Sequence, residues 1–283
     1  MSSIVEYIEG RLDVHQRTFD VLSISEREEF LKYQVPVIDL DLRDDDPDLI
    51  EIFKRLNRTF YSLSTIERFS TEYASSEFML VAKVLCDELL PPETNDLDEY
   101  LKPLPQEYDP NISRDLLDWA RDQNVSEYQN FVLSGKIFSP HETSRMVHLM
   151  YTLNLMATHM TGFYNRNDKA RDYLEEYSET LPFKDRLVDE FERTAHLINQ
   201  MKLPKGSIWT NKANAFTLFV MISQERPDFQ RAGAKAIRTS LDEFESNLPV
   251  DYTLAAREAV NNRPQRMLRH DLLRTFIRSH LGF

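Results

Sequence analysis

A mainly α-helical fold, a multi-helix array with one or two short β-strands, is what this sequence of 283 residues predicts. Three observations predict it. Apolar residues recur at steps of three and four over most of the chain, as one face of a helix requires. Several helix starts carry explicit capping signals. The best strand candidate is Gln34-Val35-Pro36-Val37-Ile38-Asp39-Leu40, and its proline suits an edge or isolated strand.

In chain order, Ser25-Glu26-Arg27-Glu28 reads as a capping box opening a helix through Phe30 and Leu31. After the strand candidate, Asp44-Asp45-Asp46-Pro47 places acids and a first-turn proline at a helix start, and that helix continues through Leu49, Ile52, Phe53 and Leu56. Residues 91–110 hold five prolines and six acids with weak periodicity, so they read as a linker or long surface loop between an N-terminal portion, 1–90, and a larger helical portion, 111–283. Beyond it the periodicity predicts helices near 113–122, 126–134, 140–164, 167–177, 183–202, 211–225, 228–247, 252–261 and 264–280. The longest of these starts clearly: Ser139 caps, Pro140 takes the first helical position and Glu142 completes a box. Met146, Leu149, Met150, Leu153, Met156 and Met160 then share one face, which reads as core packing.

Composition narrows function. Hydrophobic residues at 41% and charged residues at 29% describe an ordinary globular chain, and no apolar run nears the ~20 residues of a membrane span. Met1 to Tyr7 has neither a basic region nor a small-residue cleavage site, so the cytosol is the expected compartment and no membrane partner is expected. The single cysteine, Cys86, excludes an internal disulfide and any multi-cysteine metal cluster, and its apolar neighbours mark it as a small buried hydrophobe. Six scattered glycines form no phosphate-cradling loop, and no Gly-x-Ser-x-Gly elbow occurs.

Seven histidines suggest a metal, but the spacing argues against one. His141-Glu142-Thr143-Ser144-Arg145 has arginine where a zinc-protease helix carries its second histidine. His148 and His159 are separated by about three helical turns, roughly 16 Å, too far to share an ion. No catalytic residue, metal or cofactor is therefore expected.

Charge is unevenly spread. The chain carries 34 Lys and Arg against 47 Asp and Glu, net −13, yet Arg257, Arg263, Arg266, Arg269, Arg274 and Arg278 face only Glu258 and Asp271 within their span. On a helix starting at Pro264, Arg266, Arg269 with His270, and Arg274 recur at three- to four-residue steps beside the apolar Met267, Leu268, Leu272, Leu273, Phe276 and Ile277. Two readings stay open: Arg263, Arg266, Arg269 and Arg274 contact DNA phosphates, or they pair with the protein's own acids.

One segment goes beyond generic helix signals: Ile52-Phe53-Lys54-Arg55-Leu56-Asn57-Arg58-Thr59, then Leu63-Ser64 and Glu67-Arg68. With Phe30 to Val37 before it and Arg263 to Ile277 at the end, it resembles the domain-of-unknown-function 262 family, to which the N-terminal part of GmrSD-type restriction enzymes belongs. Arg55, Asn57, Glu67 and Arg68 carry the resemblance. A structural role suffices for them, with Asn57 ending one helix and Glu67 and Arg68 opening the next at Ser64; contact with nucleic acid or a partner is the alternative. Full members of that family begin with a ParB-like α/β domain bearing an Asp-Gly-Gln-Gln-Arg motif, associated with nucleotide hydrolysis or DNA nicking. This sequence has no such motif, and Ile4 to Leu12 is similar to the family segment that comes directly after the motif. The resemblance thus implies a helical module lacking the catalytic α/β domain, in a DNA-defence setting, with DNA or a separate catalytic or nuclease subunit as partner. Its alternatives are a fragment of a nucleotide-dependent nuclease, active only with its ParB-like half, and a protein–protein scaffold.

Overall fold

The computed structural model describes residues 7–11, 17–32, 64–89 and 112–283. They fall into two compact units, one within residues 1–53 and the other within 54–283. Fourteen α-helices and no strand occur among the described residues, so the fold is mainly α. The strand candidate at 34–40, the loop at 91–110 and the residues Arg55 and Asn57 lie outside the described residues.

In the first unit the rings of Tyr7, Phe19 and Phe30 meet with centroids 5.3–6.0 Å apart. Helix α1 (Ile24–Lys32) begins two residues earlier than the sequence suggests. Ser23 and Glu26 form the reciprocal cap, not Ser25 and Glu28: the Glu26 carboxylate accepts from the Ser23 N–H at 2.8 Å, and the Glu26 N–H donates to Ser23 Oγ at 3.3 Å. Both pairs have the required spacing, but Glu26 is also held by both arms of Arg17, at 3.0 and 3.1 Å. Those hydrogen bonds, Arg17's first among them, hold its carboxyl down at about 2.

The second unit opens with α2 (Thr65–Glu72), α3 (Glu77–Leu85), α4 (Arg114–Arg121) and α5 (Ser126–Leu133). Next come α6 (Pro140–Ser144), α7 (Val147–Thr161), α8 (Asp168–Glu176) and α9 (Lys184–Gln200). It closes with α10 (Lys212–Gln224), α11 (Arg226–Ala232), α12 (Ala234–Ser246), α13 (Val250–Ala255) and α14 (Arg263–Leu281). Helix α10 is buried without interruption from Asn214 to Ser223, and α3 is buried on nearly every side, so both run through the interior. Helix α7 joins them in the centre, while α5, α9, α12 and α14 pack outside with one apolar face each. Because α3 packs on α7, α8 and α9, residues 64–89 share a core with the rest of the unit.

Aromatic rings fill the joint between α5, α9 and α10. Tyr128, Phe131, Phe191 and Phe219 lie 5.0–5.9 Å apart in tilted and edge-on pairs, the geometry ring quadrupoles favour. The same joint carries a tertiary cap. Helix α5 has no capping side chain of its own, and Glu192 of α9 accepts from the N–H groups of Glu127 and Tyr128, each at 2.9 Å.

The expected helix over 140–164 is two helices. Ser139 and Glu142 form their box as expected, but the chain breaks at Met146, whose φ of 53° is left-handed. Arg145, at the end of α6, reaches Glu67 at 3.2 Å. The helix expected over 228–247 also divides, at Gly233, where φ is 80° and a side chain would be strained. Leu149, Leu153 and Met156 of the methionine-rich face are fully buried, and Met146, Met150 and Met160 pack at its margin. Ser139→Ala is expected to cost about 1 kcal/mol by removing the cap oxygen, read as a lowered midpoint in urea with an unchanged slope.

Candidate functional site

The basic helix is built differently from the amphipathic pattern in its sequence. Helix α14 buries Arg266, Arg269, His270, Leu273 and Ile277, while Leu268 is 40% exposed. The arginines at three-residue spacing thus lie on the inward face.

Arg266 is 4% exposed, with its guanidinium carbon 5.3 Å from the Tyr164 ring centroid and 4.8 Å from that of Phe216. It donates to the Tyr164 carbonyl at 3.3 Å. A desolvated guanidinium between two rings gains ~2 kcal/mol from the ring quadrupoles. Burial lowers its pKa, with Tyr164 opposing.

Arg269 is 1% exposed and forms no ion pair among the described residues. Its fork is spent on oxygen acceptors: the Ala255 carbonyl at 2.5 Å, the Val260 carbonyl at 3.0 Å and Thr217 Oγ1 at 3.2 Å. Ala255 ends α13, so the guanidinium supplies a donor to a helix terminus that lacks one. Burial lowers this group's pKa to about 10, still charged at neutral pH.

Arg274 and Arg278 share Glu225. Arg274 Nε donates to one carboxylate oxygen at 2.5 Å and Arg278 Nη1 to the other at 2.7 Å. Glu225 occupies the junction of α10 and α11, so this pair of bonds fastens that corner to the last turns of α14. Arg263 is exposed, but its Nε donates to the Phe163 carbonyl at 3.0 Å and its backbone N–H to Asn165 Oδ1 at 2.9 Å.

The four residues expected as phosphate contacts therefore do not form one solvent-facing basic edge. Arg266 and Arg269 are enclosed, Arg274 shares the Glu225 carboxylate with Arg278, and Arg263 is exposed. The second reading of the sequence, pairing within the protein, holds for Arg274. For Arg266 and Arg269 the partners are rings and carbonyls, an arrangement that charge counting does not consider.

The described family-resemblance residues sit at a helix start. The Glu67 carboxylate accepts from the Ser64 N–H at 2.6 Å while the Glu67 N–H donates to Ser64 Oγ at 3.3 Å, a complete box. Those Ser64 bonds, with the Arg145 charge beside them, lower the Glu67 pKa. Arg68 is exposed and forms no ion pair among the described residues.

The remaining chemistry-bearing groups have local partners. Cys86 Sγ lies 3.1 Å from Thr152 Oγ1 in the core, and burial pushes its thiol pKa up, the opposite of an activated nucleophile. His148 and His159 each face a separate carboxylate, Glu88 at 3.0 Å and Glu190 at 2.6 Å. Glu142 caps α6 and pairs with Lys212 at 2.6 Å. Among the described residues no three His, Cys, Asp or Glu side chains are grouped to hold a metal ion, and no helix is long and apolar enough to cross a membrane. No protein-family model, curated protein or solved structure matches this chain.

Proposed function

We propose that this chain is a non-catalytic helical module of a GmrSD-like DNA-defence protein, related to the domain-of-unknown-function 262 family, that positions a catalytic or nuclease partner through protein contacts. The inward commitment of the α14 arginines is the observation that carries this reading. Two guanidiniums are enclosed and two share Glu225, so the basic density visible in the sequence contributes to packing. What remains outside is the surface of a chain with net charge −13, a poor electrostatic match to a phosphate backbone and a good one to a basic protein face.

The test has two arms. The chain is co-expressed with a ParB-like α/β domain carrying Asp-Gly-Gln-Gln-Arg, and an equimolar complex is expected to elute on size exclusion. Labelled duplex DNA titrated with the chain alone at ~50 mM salt is expected to show no binding tighter than about 10 μM. Absence of the complex overturns the reading. So does tight DNA binding that Arg263→Glu with Arg274→Glu abolishes, which would restore the phosphate assignment.

A further inference from the structure

We propose that the cleft between α7, α8 and α9 binds a small zwitterion bearing a flat ring, an aromatic α-amino acid or a close derivative. The cleft encloses about 320 Å³, at the lower end of the range of small-molecule sites, which suits a ligand of one or two rings. Three features of its walls select the chemistry.

The first is an aromatic wall. Tyr173 comes from α8, Tyr177 from the C-cap that follows it, and Phe183 from the N-cap of α9. Their centroids lie 5.7 Å apart for the tyrosines and 5.6 Å apart for Tyr177 and Phe183, and all three rings are half-buried. Such rings offer a face or edge to another ring, the arrangement aromatic pairs prefer.

The second is a cation without an acid. Arg186 lines the mouth of the cleft, is exposed, and forms no ion pair among the described residues. Its neighbour four residues on, Glu190, is the natural helical partner, but that carboxylate is turned to His159, 2.6 Å from its Nε2.

The third is the acid itself. Glu190 is 24% exposed and His159 19% exposed, both on the cleft wall; His159 engages Oε2, leaving Oε1 open to a second donor. An unpaired cation and a half-satisfied carboxylate, one helical turn apart beside three rings, complement the carboxylate, ammonium and side chain of an aromatic amino acid.

The walls are held before any ligand arrives. Ser76 Oγ donates to the carbonyls of Leu174 and Tyr177 at 3.0 and 3.2 Å, fixing the end of α8. Phe78 backs both tyrosines, with centroids 5.8 and 6.4 Å away. Between them Glu77 accepts from the Leu181 N–H and from Lys184 Nζ, anchoring the start of α9. Three consecutive residues thus pin both sides of the cleft, which lowers the ordering cost of binding.

Calorimetric titration of the full chain with L-tryptophan, tryptamine and indole-3-propionate tests the assignment. Tryptophan is expected to saturate below about 10 mM, with each one-armed analogue at least about tenfold weaker, since each leaves one charged group without its partner. Arg186→Gln removes no ion pair among the described residues, so its melting temperature should match the parent; it should weaken tryptophan about tenfold and leave tryptamine unchanged. Absence of saturation by tryptophan, equal affinity for the analogues, or an unchanged tryptophan affinity in Arg186→Gln would each overturn the proposal.

Discussion

Arg269→Ala is expected to destabilise the second unit by about 3–5 kcal/mol, a fall in melting temperature of about 8–15 °C. The substitution removes donors from the carbonyls of Ala255 and Val260 and from Thr217 Oγ1. Thr217 keeps its bond to the Ala213 carbonyl, so the loss falls mainly on the two main-chain oxygens. Each buried acceptor left without a donor costs ~1–3 kcal/mol, and the cavity left by the side chain adds to that. Opposing this, the protein no longer desolvates a charge. Buried ion pairs can be replaced by apolar groups at little cost because both partners leave together, but here the partners are backbone and cannot leave. Arg263→Ala, at an exposed position with one side-chain bond, should change stability by less than about 1 kcal/mol. The comparison is made by thermal denaturation followed at 222 nm. If the two variants melted alike, Arg269 would not be holding the α13 and α14 ends together.

Much of the architecture is legible in the sequence because helix signals are local. Ser64 and Ser139 cap their helices with the expected glutamates, and Leu149, Leu153 and Met156 face the core. The α6–α7 break is not legible, since Met146 carries no breaker chemistry and its left-handed backbone is imposed by context. The Gly233 break is signalled by the glycine itself, against the periodicity that runs across it.

The basic helix misleads for a deeper reason. Its pattern places charge outward and Leu268 inward, whereas α14 is turned so that Arg266, Arg269, Leu273 and Ile277 form the buried stripe. Burying guanidinium is favourable only where distant residues supply acceptors or ring faces. Tyr164, Phe216 and Thr217 supply them here from far along the chain, and the Ala255 and Val260 carbonyls from the segment just before α14, aimed by the fold of that segment. The aromatic cleft is hidden in the sequence for the same reason. His159, Tyr173, Arg186 and Glu190 are unremarkable on their own helices, and only the packing of α7, α8 and α9 brings them together. A weak signal exists: Arg186 and Glu190 stand four apart, and such a pair left open is a departure that structure alone reveals.

Glu225→Ala should cost about 2–3 kcal/mol at neutral pH, a fall of about 5–10 °C, and the cost should disappear in acid. The carboxylate receives charge-assisted bonds from Arg274 and Arg278 while it is 15% exposed; the arginines themselves are 43% and 33% exposed. Those partners recover hydration when the acid is removed, so the loss stays below that of a fully buried pair. Burial alone would raise the Glu225 pKa, but the bonds and charges of the two arginines outweigh it, and the net shift is downward. A depressed folded-state value means that the stabilisation is fully present above the unfolded glutamate value of ~4.3 and fades as pH falls through the folded value. The stability difference between the parent chain and Glu225→Gln should therefore be flat from about pH 5 to 8 and shrink below about pH 4.3. Urea midpoints of the two proteins across that range measure it. A difference that persisted unchanged at about pH 3 would mean that Glu225 acts through shape and not through its charge. That outcome would remove the electrostatic account of how α14 is fastened to the α10–α11 corner, and with it part of the case that these arginines serve the fold.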